Sequence, residues 1–458
     1  MRDFSANPKG GLSWGPVIAK DRGALPVWKD PMIKLADDPL RITLSNELHA
    51  RPFPTIAAPA RAVFLAVRHP DGAGRDRAAD RAHLEMLLDQ YSVQARPGPD
   101  GTHFFGALGK HWLKWESHTE FVTYMLIAEG VSARPFSGEI FDVFPADWMA
   151  QMPGLRVTSA LIRVEQMPED EAVMAEKLDS WFLGEALAVS SVLDGDAVVA
   201  SDFRLDDSDH TRIAIFVSPG CGPRRVGRVV QRMAEIETYT KMSLMGLMTA
   251  REMGHELNQI EARMTRLTEE MAHETTSAED TLQQLLSVSS ALEAISTRTS
   301  FRFGATGAYA AIVNQRIQVL REERFLGRQT MGEFMMRRWD PAIRTVESAE
   351  RRLGQMTDRG GRASNLLRTR VDVERSAQNQ KLLESMDHRA HLALRLQETV
   401  EGLSVVAISY YAVSLALYLF APLTEAHLLS KAWLGTLVVP PVILAVFLMV
   451  RQIKKRMH

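Results

Sequence analysis

Apolar residues crowd into two runs late in the sequence, residues 403–421 (LSVVAISYYAVSLALYLFA) and 434–450 (LGTLVVPPVILAVFLMV). Neither run contains a charged side chain, and each is close to the roughly 20 residues that cross a bilayer core. Two transmembrane helices are therefore expected. Pro440 and Pro441 would break a helix in water but are tolerated in a spanning one, where neighbouring groups re-satisfy the backbone. A buried hairpin in a soluble core is the weaker alternative, because core helices seldom stay uncharged for so long. Arg389 and Arg395 precede the first run, and Arg451, Lys454, Lys455 and Arg456 follow the second. The residues between the runs hold Lys431 as their one cation, with Glu425 and His427 beside it. The excess of cations outside the pair puts both chain ends in the cytoplasm and the short loop outside. Tyr418 and Trp433 fall where aromatic anchors meet the interfaces.

Upstream the pattern divides in two. Residues 1–38, rich in Gly, Pro and small side chains, read as an irregular arm. Their first residues are polar and offer no apolar signal segment. A short helix (LRITLSNELHA) follows Pro39. Strand-like runs then appear at 62–68, 103–108, 112–116, 121–128, 157–164, 197–203 and 212–217, with helical patterns at 75–90 and 169–182. The turn at Gly109-Lys110 reads as a hairpin, whereas the helical crossovers imply parallel neighbours. The expected fold for 39–220 is a mixed α/β (α+β) cytoplasmic domain with a mixed sheet.

After Gly220-Cys221-Gly222-Pro223 the period changes to 3.6, predicting long helices over 224–271, 280–325, 331–356 and 364–421. Thr330 and Gly360-Gly361 are the expected breaks. Leu285, Val288, Leu292 and Ile295 alternate three- and four-residue steps, as in a coiled-coil seam. Leu392, Leu396, Val400 and Leu403 carry one apolar face into the first run. The last of these helices would reach roughly 85 Å. The resulting plan is an arm (1–38), the α/β domain (39–220), a long helical bundle or coiled-coil stalk (221–402), two transmembrane helices (403–450) and a basic cytoplasmic tail (451–458).

Composition narrows the classes. With 458 residues there is ample chain for a core, and a net charge of -2 excludes a protein that coats nucleic acid by charge alone. One cysteine, Cys221, excludes an internal disulfide framework and any multi-cysteine metal site.

Three stretches carry a resemblance. Residues 46–54 (Asn46-Glu47-Leu48-His49-Ala50-Arg51-Pro52-Phe53-Pro54), then Phe301-Arg302-Phe303-Gly304-Ala305 with Ala308-Tyr309, then 394–405 (LRLQETVEGLSV, including Gln397, Glu401 and Gly402) with Ser409-Tyr410-Tyr411, resemble the motifs of an uncharacterised bacterial membrane-anchored family, domain-of-unknown-function family 3422. That resemblance implies a bacterial inner-membrane protein and brings no activity. The architecture is also similar to the CorA magnesium-transporter superfamily, in which five chains pack their first spans around a pore. There Gly-Met-Asn follows the first span, while this chain has Ala421-Pro422-Leu423. A homo-oligomer, a pentamer on that likeness, with the bilayer as partner and a divalent cation such as magnesium as ligand, is the expectation. A membrane-tethered scaffold for an unknown protein partner is the alternative.

Candidate chemistry is sparse. Ser404, Tyr411, Ser414 and Tyr418 share one helical face, fit to line a pore or to pack spans together. Glu425 and His427 would attract cations at an external mouth or simply solvate the loop. Asp206, Asp207, Asp209 and His210 offer hard ligands for a divalent ion, or a polar turn. His255-Glu256 lacks the second histidine of a zinc helix, since Gln259 stands there. His49 with Arg51 suits an anion or a structural lock. Cys221 at a helix start would have a lowered pKa, or serve structure alone. Met242, Met245, Met248, Met253, Met264 and Met271 stripe the first long helix as core or as a partner face. Arg337-Arg338-Trp339 and Arg351-Arg352 could meet lipid headgroups or pair with neighbours such as Glu347 and Glu350. No phosphate loop, dinucleotide fingerprint or nucleophile elbow appears, so no enzymatic role is expected.

Overall fold

The computed structural model describes residues 38–47, 52–69, 76–98, 101–273, 276–420 and 431–457. The expected arm, His49, Arg51, Glu425 and His427 lie outside them. The chain forms two compact units, Met1–Thr265 with Ser287–Gly360, and Arg266–Leu286 with Gly361–His458.

The first unit is built on one mixed sheet. After α1 (Arg41–Glu47) come β1 (Ala60–Arg68), α2 (Arg77–Gln90), β2 (His103–Leu108), β3 (His111–Ser117) and β4 (Phe121–Glu129). A 3₁₀ turn (Gly138–Val143) and α3 (Ala146–Ala150) lead to β5 (Leu155–Gln166), α4 (Glu171–Trp181), β6 (Ala188–Val192), β7 (Ala197–Ser201) and β8 (Thr211–Val217). Then follow α5 (Pro223–His273), α6 (Ala278–Leu320), β9 (Glu323–Arg324), α7 (Met331–Arg338), α8 (Asp340–Leu419) and α9 (Lys431–Met457).

The strand order is β2-β3-β4-β1-β5-β8-β7-β6-β9. Its pairings are antiparallel except for β5 with β8, where Ile162 lies opposite Ile213. That parallel pair needs a crossover, supplied by α4 and the β6–β7 hairpin. The predicted hairpin joins Leu108 to His111, and Gly109 takes the positive φ of +60° that so short a turn demands.

Both sheet faces are covered, which explains why β4 is buried from Phe121 to Ala128 rather than alternating. On one face Ala62, Phe64, Met125 and Ile127 pack against Val226, Val229, Val230 and Met233 of α5. On the other, Val63, Leu65, Leu126 and Trp115 meet Leu84, Leu87 and Leu88 of α2 and Trp148 of α3. Over β6–β8, Met174 and Leu178 of α4 pack on Val189, Val198 and Phe216.

Three helix boundaries differ from the pattern-based reading. The expected helix over 280–325 ends at Leu320, where Arg321 takes a positive φ of +51°, and Glu323–Arg324 pair with β6 as β9. The expected helix over 331–356 is interrupted at Trp339, because Pro341 fits only the first turn of a new helix. Gly360-Gly361 makes no break: α8 runs through both for 80 residues. A Cβ on Gly360 would lie 3.3 Å from Ser289 Oγ, so this glycine serves close packing against α6 instead of ending the helix. The strands β6 and β9 and the helix α3 had no counterpart in the expected elements.

In the second unit Leu267, Leu285, Leu367 and Val371 are buried, while residues 372–400 of α8 are exposed without interruption. Among the described residues two helical stretches are long and apolar enough to cross a membrane: the end of α8, and Trp433–Ile453 of α9, which continues through Pro440 and Pro441. Little of either stretch is covered by protein.

Candidate functional site

A close gathering of polar groups lies between the sheet and α5. Strand alternation sends Lys114 and Glu116 of β3 and Thr123 of β4 to the α5 side, with Leu113 and Trp115 on the other. From α5, Gln231, Glu235, Thr238 and Tyr239 face them across a small cleft floored by Phe64 and Met125. Its open space is about 20 Å³, room for one ordered water.

The charges in and around this cleft are paired. The Lys114 ammonium, 3% exposed, donates to Gln231 Oε1 at 2.7 Å and lies 3.1 Å from Glu116. Gln231 Nε2 donates onward to Glu235 Oε1 at 2.8 Å, and Arg316 of α6 closes on the same carboxylate. Burial and the neighbouring Arg228 and Arg316 guanidiniums lower the pKa of Arg232, against the pull of Glu235.

Next along the sheet, Glu120 is held by Arg302 and by Tyr309, whose hydroxyl donates at 2.8 Å. Burial, then the hydrogen bond and charge of Glu120, push the Tyr309 phenol well above its usual range. Tyr239 stacks on Tyr309 with centroids 5.5 Å apart, and Phe121 packs on both. Glu237 is fully buried and accepts from Thr158 at 2.7 Å and Thr211 at 2.9 Å on the central parallel pair of strands. This is a buried polar layer that fixes α5 and α6 over the sheet; most of its donors and acceptors meet one another, while Glu237 Oε2 and Arg302 Nη1 have no hydrogen-bond partner among the described residues.

The residues singled out in the sequence fall in different places. Arg302 and Tyr309, from the second family motif, join this layer, Phe303 is buried, and Phe301 is exposed beside the Arg302 guanidinium. Of the first motif, Pro54 packs where a Cβ on Gly227 would come within 1.7 Å of its carbonyl oxygen, so α5 begins against this segment only because position 227 is glycine; Glu47 ends α1. Of the third, Gln397 Nε2 donates to Glu401 Oε1 at 3.1 Å on exposed helix, and Gly402 continues that helix with open space beside it.

The acidic cluster is a turn. Asp206 Oδ1 accepts from the backbone of Ser208 and His210, and Asp209 sits at φ +61° and 3.8 Å from Arg156. His210 bonds Ser159 Oγ at 2.7 Å and stacks on Phe141, and burial lowers its pKa. Among the described residues no group of three or more His, Cys, Asp and Glu side chains is placed to hold a metal ion. Asp206 is turned to its own backbone, while Asp209 and His210 go to Arg156 and Ser159, so the cluster does not gather as a ligand set here.

Cys221 also departs from expectation. Helix α5 starts at Pro223, and burial pushes the thiol pKa up rather than down. His255 contacts Gln259, and Glu256 pairs with Arg298 at 2.5 Å. Met242, Met253 and Met264 are core, whereas Met248 is exposed. Trp339 is buried, its indole donating to Ser243 Oγ at 2.9 Å, and Arg352 binds Asn258 and Glu261 of α5. On α8, Tyr411 and Tyr418 are exposed, Ser414 is half-buried, and Ser404 Oγ donates to its own helix at Val400 O, 2.7 Å away.

The buried layer could not be found from the sequence alone. Lys114, Glu116 and Glu120 look like solvent-facing positions of amphipathic strands until α5 is placed over them.

No curated protein matches this chain. The family described as "Protein of unknown function (DUF3422)" matches residues 36–457, nearly the whole sequence and all three motifs, and the chain belongs to that family.

Proposed function

We propose that this protein is a two-pass membrane protein of the bacterial inner membrane, with both chain ends in the cytoplasm. Several copies assemble into a CorA-like conduit for a divalent cation, magnesium being the first to test. Continuity of α8 carries the proposal. One helix without a break joins residues packed in water, such as Leu353 and Met356, to an apolar stretch of which the described residues cover little. Tyr418 at 81% exposed would be costly in water, and lipid or neighbouring spans remove that cost. In this reading the helix passes a movement at one end to the other, as gating requires. The cation is cargo, and Tyr411, Ser414 and Tyr418 offer the hydroxyl-bearing face along which it would pass. No catalytic role is part of this reading.

Proteoliposomes loaded with a magnesium-sensitive dye test it. Uptake down a gradient, reduced several-fold by Tyr411→Phe with Tyr418→Phe, is the expected result. No uptake by a discrete, well-folded oligomer would overturn the conduit. The second reading, a membrane-tethered scaffold, is favoured by the absence of any Asp, Glu, Lys, Arg or His side chain from 403–421 and 434–450, since conduction paths usually carry one. It predicts that an unrelated hairpin can replace both spans without loss of function.

A further inference from the structure

We infer that residues 382–403 of α8 form a self-association seam that joins more than two parallel copies of this chain. Residues 372–400 are helical and exposed throughout, although an isolated helix in water draws little stability from its own hydrogen bonds. The sequence of this stretch is not that of a solvated helix. Leu382, Met386, Ala393, Leu396, Val400 and Leu403 fall at the alternating four- and three-residue steps of a heptad core, with Arg389 the one polar interruption. Leu383 and Leu392 flank that core on its two sides. The seven large apolar side chains among these are each between 53% and 67% exposed.

The charges say what covers the seam. Lys381, Glu384, Asp387, His388, His391, Arg395, Glu398 and Glu401 all stand on the opposite side of the helix from the core. The flanking positions, which in two-stranded coiled coils carry the charges that choose a partner, are Leu383, Ser385, Ala390, Leu392, Gln397 and Thr399, all neutral. Identical copies therefore meet without like-charge repulsion at these flanks, and Arg389 is the one core position where like charges converge. The apolar face is also wider than a pair of helices can bury: a dimer would cover the heptad core and leave Leu383 and Leu392 wet, whereas a ring covers all of them.

Orientation rests on the membrane reading above. Helices that enter one bilayer from the same side are parallel, so like residues meet at like heights. The heptad frame then runs on through Ala407, Tyr410 and Ser414, with Tyr411 and Tyr418 on its flank.

Single cysteines placed in full-length Cys221→Ser protein, in native membranes, test the seam by copper-catalysed disulfide trapping. Leu396→Cys and Val400→Cys should cross-link at least tenfold more than Arg395→Cys and Glu398→Cys. In nanodiscs, Leu396→Glu with Val400→Glu should reduce the particle mass to one chain. Arg389→Leu should raise the detergent concentration that dissociates the particle. Because these side chains already face solvent within one chain, the variants leave its own packing intact, which a wild-type melting profile verifies. A particle of two chains overturns the ring. A larger particle whose outer positions cross-link as readily, or whose mass survives both glutamates, overturns the seam while leaving oligomerisation standing. A monomeric wild type overturns seam and conduit together.

Discussion

Replacing Arg302 by methionine removes one half of an ion pair that joins α6 to the start of β4. The Arg302 and Glu120 side chains are 12% and 5% exposed, so little water reaches Glu120 once the guanidinium is gone. Removing one partner of a buried pair costs about 3–5 kcal/mol, because the remaining charge stays desolvated. The Tyr309 hydroxyl still donates to Glu120 at 2.8 Å, and methionine preserves much of the arginine stem's volume, which favours the lower end. For large domains each kcal/mol moves the melting temperature by roughly 2 °C, so a fall of about 6–8 °C is expected by intrinsic-fluorescence melting in detergent. Adding Glu120→Gln should recover more than half of that loss, since the uncompensated charge disappears while the tyrosine keeps an acceptor. Arg302→Lys should fall between, its ammonium replacing a fork by a point charge. A shift below about 2 °C for Arg302→Met, with no recovery in the double variant, would refute the claim that this pair fixes α6 over the sheet.

A Cβ on Gly246 would come 2.2 Å from Thr306 Oγ1, so Gly246→Ala should push α5 off α6 and cost about 1–3 kcal/mol. Gly254→Ala, with nothing within 4 Å, should be neutral or stabilising; equal melting temperatures would refute the close approach. Glu165 and Glu322 should give opposite pH slopes. Burial opposes the Glu165 charge, but Lys177 and Arg163 prevail and hold its pKa below the usual range; its stabilisation is present above the unfolded glutamate pKa of about 4.3 and lost as pH falls through the folded value. Burial raises the Glu322 pKa despite bonds from Gly332, Ser190 and Thr330; its contribution is greatest below the unfolded pKa and fades as pH rises through the folded one. Melting curves from about pH 2.5 to 7 should therefore show Glu165→Gln flattening the acid limb and Glu322→Gln the other; unchanged slopes would contradict both assignments.

Periodicity reveals what local chemistry decides. The turn at Gly109, the strands of the central sheet and the buried row Leu285, Val288, Leu292 and Ile295 were all legible, because each needs only its own neighbours to be recognised. Gly360-Gly361 misled because a glycine pair has two uses, ending a helix or letting another helix approach, and only Ser289 decides between them. The short β6 was hidden by its serines: Ser190 is completely buried and donates to Glu322 at 3.1 Å, a partner far along the chain. The same holds for the buried layer. Arg302 and Tyr309 could be quoted as a motif, but their common acceptor, Glu120, lies 182 positions from Arg302. Long-range pairing of charges leaves no periodic trace.

The two-residue strand β9 has a consequence for biosynthesis. It pairs Glu323 with Ser191 and Arg324 with Ser190, occupying the hydrogen-bonding edge of β6. A growing chain emerges at roughly 5–20 residues per second, so β6 waits on the order of 10 s for the segment that caps it, and two long helices must be made in between. Throughout that interval the nascent sheet presents a bare edge, and at first the uncovered side that α5 later occupies, the combination that invites pairing with another nascent chain. A polypeptide released before Glu323 would keep that edge permanently, so nonsense products of this gene should be aggregation-prone and dependent on chaperones even though their strands are intact.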